Sequence, residues 1–331
     1  MADLSPDDPA TLDAFASDIA RLRAAVHTRI VGQEDAIDSL LIGLFARGHV
    51  LLVGVPGLAK TLLIQTLAQA LHLDFGRIQF TPDLMPSDIT GTDVLEEDPQ
   101  TGRRRLTFVK GPLFANVLLA DEINRTPPKT QAALLQAMQE REVTASGQTF
   151  KLDAPFFVLA TQNPIEQEGT YPLPEAQLDR FMLNVRLTYP SYEDEVRVVQ
   201  TTTSGETGDV RPILDAERVR LYQRFVDNIP VPEHLVRYAV ELVRSTRPGP
   251  DAPDVTRQYL NFGAGPRASQ NLIRAAKARA AMRGDLVPTR ADLRALAPAV
   301  LRHRIVLNFT ADADAVTPDR IVADLLDHAR A

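Results

Sequence analysis

The chain has no cysteine, which excludes disulfide bonds, thiol nucleophiles and any cysteine-held zinc. Its six histidines are scattered without a pair at metal-ligand spacing, so core or surface roles suit each of them. No apolar run approaches the roughly 20 residues of a membrane span. The opening stretch Met1-Ala2-Asp3-Leu4-Ser5-Pro6-Asp7-Asp8-Pro9 is acidic and lacks the apolar region of a secretory signal, so a cytoplasmic protein is expected. Positive charge is not in excess either. Lysine and arginine number 36 against 43 aspartates and glutamates, for a net charge of −7. That balance argues against a surface built mainly to hold nucleic acid, while leaving room for a local basic groove.

What remains is ordinary core-forming material, 44% hydrophobic and 24% charged over 331 residues. That length exceeds one average domain and reads as two. The chain is organised around Gly54-Val55-Pro56-Gly57-Leu58-Ala59-Lys60-Thr61. An apolar run, His49-Val50-Leu51-Leu52-Val53, precedes it as a short buried strand, and residues 62–71 follow as an apolar helix beginning at Leu62. Strand, glycine-rich turn and Lys-Thr at a helix start make the phosphate-cradling P-loop. Successive backbone N–H groups point into the concavity, and the helix N-terminus adds partial positive charge. Lys60 is expected to reach the β- and γ-phosphates of a nucleoside triphosphate, and the Thr61 hydroxyl to sit on Mg²⁺. Ala59 departs from the general pattern, which places glycine before the lysine. Alanine is the smallest substitute, so the turn is expected to survive with a negative φ at that position.

Leu12, Phe15, Ile19, Leu22 and Val26 recur at helical spacing in a first amphipathic helix over 12–29. Val31-Gly32-Gln33 then reads as no more than a turn and helix start. A second strand is expected over 75–80. Residues 94–97, a turn at 98–102 and residues 103–108 form a hairpin with one acidic and one basic arm, suited to cross-strand ion pairing. Asn116-Val117-Leu118-Leu119-Ala120-Asp121-Glu122 is a buried strand ending in two acids. It places both carboxylates at the C-terminal edge of a parallel sheet, where ligands of open α/β sheets bind. Asp121 is expected to hold Mg²⁺ and Glu122 to polarise an attacking water.

A helix over 129–140 follows two prolines, then a hairpin over 142–152, then the strand Phe156-Phe157-Val158-Leu159-Ala160-Thr161. Asn163, just after that strand, falls at the same edge as the two acids and is either a catalytic amide or a turn residue. Arg180 lies near a short helix's end, where dipole compensation would also choose a cation, so local pattern leaves its role open. The chain is helical beyond residue 190, with helices expected around 193–200, 216–226, 232–243, 266–282 and 290–303, and a mobile loop over 201–212. Thr289 and Asp292 form a capping-box start to the last of these. Arg267 lies in a helix's first turn, where a cation is unfavourable by ~0.3–1 kcal/mol, so it is expected to face a negative ligand.

These stretches together resemble the MoxR family of AAA+ P-loop ATPases. The matching pieces are Val31-Gly32-Gln33, residues 54–61 with the family's alanine at Ala59, Leu119-Ala120-Asp121-Glu122-Ile123-Asn124-Arg125, Ala160-Thr161-Gln162-Asn163-Pro164, residues 173–181, and Gly265-Pro266-Arg267-Ala268. They run in order across residues 20–310. The resemblance implies an α/β fold, with a five-stranded parallel αβα core of order 5-1-4-3-2 over residues 1–189 and a helical lid over 190–331. Both hairpins match the insertions of the clade shared with magnesium-chelatase motor subunits and MCM helicases. By carry-over, Val31, Gly32 and Gln33 contact adenine. The rest of the nucleotide set is Gly54, Pro56, Gly57, Leu58, Ala59, Lys60, Thr61 and Leu62. Asn163 is the first sensor, Arg180 an arginine finger given to a neighbour's ATP, and Arg267 the second sensor in the lid. Such proteins form rings, usually hexamers, and are described as chaperone-like, often acting on partners with a von Willebrand A domain. The alternatives are a chelatase-type motor serving a partner that inserts metal, and a nucleotide-gated scaffold with little turnover. A DNA motor is disfavoured by the acidic balance.

Overall fold

The computed structural model describes residues 9–97, 104–164, 169–203 and 208–329. Two helices, α1 (Pro9–His27) and α2 (Glu34–Phe45), lead into the first strand, β1 (Val50–Val53), and then α3 (Lys60–Ala70) and β2 (Phe75–Gln79). A one-turn helix α4 (Pro86–Thr90) precedes the hairpin β3 (Gly91–Glu97) and β4 (Arg104–Lys110). Next come β5 (Val117–Asp121), α5 (Pro128–Glu140), the hairpin β6 (Glu142–Ala145) and β7 (Gln148–Lys151), β8 (Phe157–Gln162), α6 (Glu175–Leu178) and β9 (Leu183–Arg186). The rest is α7 (Tyr192–Thr203), α8 (Ala216–Asn228), α9 (Glu233–Ser245), α10 (Asp254–Tyr259), β10 (Leu260–Phe262), α11 (Pro266–Met282), α12 (Arg290–Leu301), β11 (Val306–Leu307), α13 (Phe309–Ala313) and α14 (Pro318–His328).

Five strands form one sheet in the order β2-β5-β8-β1-β9, and every pairing is parallel. Counting only these strands in chain order, this is 5-1-4-3-2, as the resemblance implies. Parallel strands covered on both faces are near-continuous apolar runs, and every residue of β5 is buried, apolar up to the carboxylate of Asp121 at its end. Alternate residues serve opposite faces. Val117 and Leu119 join a cluster with α1, α2 and α3, while Leu118 and Ala120 join one with α5 and Phe181. The first cluster does not stop at the core, since residues of α8, α9, α11, α12 and α14 belong to it. α1 is the seam. Phe15 packs on Phe45 (centroids 4.8 Å apart) and on Tyr222 of α8 (4.7 Å), and the Tyr222 hydroxyl donates to Asp18 at 2.6 Å. Among the described residues, the short β10–β11 ribbon is the lid's one strand pair, and its other regular elements are helices.

Several expectations meet particular contacts. Glu97 and Arg104 pair across the first hairpin at 3.4 Å, while its turn at 98–102 lies outside the described residues. The loop expected over 201–212 begins later than expected, because α7 continues to Thr203. Residues 204–207 lie outside the described residues, and beyond them the Gly208 carbonyl accepts from Arg29 Nε at 2.7 Å. The capping box at Thr289 and Asp292 is present. Among the described residues, no helix is long and apolar enough to cross a membrane.

His49, just before β1, ties the layers together. Its Nδ1 accepts the Val158 amide at 3.0 Å, which leaves Nε2 to donate to the Met138 carbonyl at 3.2 Å. Burial pushes its pKa down to about 4. His303 is likewise pushed down by burial and by Arg304. Unfolded histidine titrates near 6.5, so below that pH the unfolded chain takes up a proton that folded His49 refuses. The contribution is complete above about pH 6.5 and is lost as the pH falls through 4, and a shift of this size corresponds to roughly 3 kcal/mol. Thermal melting between pH 7.5 and 4.5 is expected to show a falling Tm, and His49→Gln to flatten part of the slope. An unchanged slope in the variant would remove His49 as its source.

Candidate functional site

The five parallel strands all end at one edge, and the residues that follow them converge there. After β1, Gly57 takes φ +85° with open space where a side chain would stand. Gly54 lies so close to Leu187 that an added Cβ would come within 2.9 Å of it. One expectation is corrected here. Ala59 is left-handed, at φ 52° and ψ 27°, as the N-cap of α3. The turn that starts the helix requires this conformation, so alanine carries a strain of ~1–2 kcal/mol that glycine would not. Lys60 follows it and donates from Nζ to the Gly54 carbonyl at 2.7 Å, folding its charge over the loop.

Beside this loop, the register places Asp121 opposite Gln79, and Gln162 opposite Val53. Asp121 is buried; its Oδ1 accepts from Thr161 Oγ1 at 2.7 Å and its Oδ2 from Arg77 Nη2 at 2.8 Å. Glu122 is left-handed, at φ 56°, and its amide donates to the same Thr161 hydroxyl at 2.8 Å. Two donors share Glu122 Oε2, Gln79 Nε2 at 2.8 Å and Arg125 Nη1 at 3.0 Å. Asn163 is buried one residue beyond β8, at the same edge. The structure therefore brings together the P-loop, Asp121, Glu122 and Asn163. It adds Arg77, Gln79 and Thr161, which sequence reasoning missed. Only strand register could have found them, since they stand on the strands flanking β5 and β1.

Val31-Gly32-Gln33 joins this group. Gln33 donates from Nε2 to the Leu58 carbonyl of the P-loop at 3.3 Å, while its Oε1 is buried without a partner. Gly32 has φ +66°, which strains any side chain, and an added Cβ would stand a tight 3.0 Å from Asp194 Oδ2 of α7. An orphaned acceptor at the mouth of a phosphate cradle suits the amino edge of a purine base. The donor set of Thr61 and Asp121, all oxygen, suits Mg²⁺.

Arg180 and Arg267 lie elsewhere. β9 runs beside β1 with Leu183 opposite Val50, so Arg180 stands next to Arg47-Gly48-His49 at the opposite, N-terminal end of the sheet. The Met182 amide donates to the His49 carbonyl at 2.8 Å, and Arg180 Nη1 to the Leu135 carbonyl at 2.7 Å. Arg267, in the first turn of α11, pairs with Asp179 at 2.8 Å. The anion facing Arg267 in this chain is thus Asp179, which also holds the buried Arg304 at 2.7 Å. A strand rises ~3.3 Å per residue, so β1 alone separates these arginines from the P-loop by roughly 13 Å.

Comparison with known proteins gives the chain's family and fold. Residues 49–183 match the ATPase family associated with various cellular activities (AAA), and residues 254–325 match the AAA lid domain. The chain is similar to the protein named Chaperone MoxR1 of Mycobacterium tuberculosis, at 43% identity over 96% of this chain and 84% of that one. It is also similar to the uncharacterised YeaC of Bacillus subtilis, at 42% identity over 90% of this chain and 89% of that one. Among solved structures, a candidate ATPase from Cytophaga hutchinsonii superposes with a TM-score of 0.88, at 42% identity and 96% coverage of both chains.

Proposed function

The chain belongs to the MoxR family of AAA ATPases, and from that premise we propose that it hydrolyses Mg²⁺-ATP in a ring and uses the cycle to remodel or assemble partner proteins. One observation carries this reading. The phosphate cradle and both acids stand at one end of the sheet, whereas Arg180 and Arg267 stand together at the other. A single chain cannot close both groups around one nucleotide, but adjacent copies can.

In this reading, Val31, Gly32 and Gln33 receive the base, and Gly54, Pro56, Gly57, Leu58, Ala59 and Leu62 shape the cradle. Lys60 leaves the Gly54 carbonyl for the β- and γ-phosphates. Thr61 and Asp121 would hold Mg²⁺, which supplies positive charge to the phosphoryl oxygens when bound. Arg77, now on Asp121, is part-exposed and can swing away at little cost. Glu122 accepts the water's proton or polarises it, and Asn163 orients it. Arg180 and Arg267 reach the neighbour's triphosphate. A core over 1–189 and a lid over 190–331, a hexameric ring, cytoplasmic location and a client bearing a von Willebrand A domain complete the proposal.

The test is phosphate release by the purified protein, set beside nucleotide titration of Lys60→Ala. Losing a charge-assisted contact of about 1.5–3 kcal/mol lowers affinity roughly 10- to 100-fold. Unchanged affinity would sink the cradle assignment. Absence of turnover in the parent protein, with or without partners, would leave a nucleotide-gated scaffold.

A further inference from the structure

At the arginine end of the sheet a cavity of about 290 Å³ opens between the chain entering β1, the end of α5 and the start of α11. Five arginines line it, Arg47, Arg141, Arg180, Arg267 and Arg274, and no acidic residue does. Arg47 pairs with Asp227 at 3.2 Å and Arg267 with Asp179 at 2.8 Å. Among the described residues, neither Arg141 nor Arg274 forms an ion pair, although Asp227, which pairs with Arg47, also acts on Arg141 from farther off. The crowding is electrostatic as well as spatial: Arg141 is exposed overall, yet partial desolvation and then the charges of Arg47 and Arg274 push its pKa down against the opposing pull of Asp227. His49, also in the wall, is held neutral by burial and adds nothing to the charge.

The backbone under two of these arginines points the same way. Arg47 follows α2 at φ 54° and Arg141 caps α5 at φ 56°. Both are left-handed helix-ending positions, where glycine or asparagine is the low-energy choice and a long side chain costs ~1–2 kcal/mol. Two strained positions carrying the same cation into one cavity are poor choices for folding. They suit a further anion beyond Asp227 and Asp179, which are too few for five arginines. The volume lies at the low end of the about 300–1,000 Å³ of ligand pockets and has room for a phosphoryl group.

We propose that this cavity is a phosphoryl-binding pocket, in which Arg141, with Arg47 and Arg274, joins Arg180 and Arg267 in holding the terminal phosphate of the adjacent subunit's nucleotide. The inference rests on the split site proposed above and extends it from two arginines to five. Planar guanidinium forks converging on a phosphoryl group match its oxygens, and in a desolvated interface each is worth far more than on an open surface.

Arg141→Gly is the informative variant, because glycine removes the cation and also relieves the left-handed strain. Its Tm is expected to equal or exceed the parent's, its own P-loop to bind Mg²⁺-ATP normally, and its turnover to fall about 10²-fold, the effect of losing one preorganised charge-stabilising donor. Arg141→Lys is expected to recover part of the rate. A purely structural role predicts the opposite, full turnover with glycine. A second arm titrates inorganic phosphate into Lys60→Ala protein with and without Arg141→Gly. Full turnover of Arg141→Gly together with loss of phosphate binding would assign the pocket to free phosphate and overturn its part in the shared site. Full turnover with unchanged phosphate binding would overturn the phosphoryl pocket itself. Arg180→Ala separates the two readings: if it stays active the split site fails, and if it is inactive while Arg141→Gly is active, only the enlarged pocket fails.

Discussion

Arg180→Ala protein is expected to bind Mg²⁺-ATP with nearly the parent's affinity and to hydrolyse it about 10³-fold or more slowly, the range measured for arginine fingers in GTPases. The affinity survives because Arg180 lies across the sheet from its own P-loop, beside His49 and bonded to the Leu135 carbonyl. The rate is expected to fall because, in the proposed ring, the lost charge acts on the neighbour's transferring phosphoryl group. Lys60→Ala is expected to be inactive for a different reason, the loss of the cation inside the proposed cradle. Mixed in one assembly, the two defects complement each other. Where an Arg180→Ala subunit supplies the P-loop and a Lys60→Ala neighbour supplies the arginine, a complete site re-forms. Part of the ATPase activity is expected to return on mixing, rising with the fraction of such interfaces. Subunit exchange is established first with labelled parent protein, and dilution of the parent with each dead variant measures coupling around the ring. With exchange shown and coupling absent, a silent mixture would return Arg180 to the role of a helix-end arginine satisfying a carbonyl.

Glu122→Gln separates an engine from a scaffold. Gln keeps the shape of the side chain and can still hydrogen-bond Gln79 and Arg125, which both donate to Glu122 Oε2. It cannot accept the proton of the attacking water, nor polarise it with a full negative charge. General-base loss is worth ~10²–10⁴ in rate, so turnover is expected to drop at least 10²-fold with Mg²⁺-ATP binding intact. The trapped protein should remain in its nucleotide-bound assembly, readable as a larger species by light scattering and as a stable partner complex. Turnover near the parent's would move the proton acceptor elsewhere, and loss of nucleotide binding would make Glu122 a ligand of the nucleotide complex.

Some of this was legible in the chain because it is written locally. A buried strand, a glycine turn and Lys60-Thr61 at a helix start specify a phosphate cradle whatever packs around them, since backbone N–H groups and a helix end supply most of it. Apolar runs of strand length ending in Asp121-Glu122 and in Asn163 likewise name one sheet edge, because all parallel strands of such a sheet finish on the same side. The Thr289 box could be read from two residues three apart. The family's order of motifs then brought the strand order with it.

Other features had no local signature. The sign of φ at Ala59 is set by where the loop must deliver the first turn of α3, and alanine's small size pointed to the wrong side of the map. Arg77 and Gln79 carry no motif of their own, and Thr161 lies in the Ala160–Pro164 stretch without a role assigned to it; all three meet Asp121 and Glu122 only because β2 and β8 flank β5 in register. The sequence by itself determined a glycine turn between a buried strand and a helix, which is the proposed phosphate cradle, an acidic strand end and a parallel sheet to carry them, because those depend on neighbours in the chain. Tertiary structure alone decided that Arg180 and Arg267 stand a strand's length from that cradle, and that Arg47, Arg141 and Arg274 stand with them. Such convergence is fixed by the packing of helices and strands far apart in sequence, and no spacing along the chain encodes it.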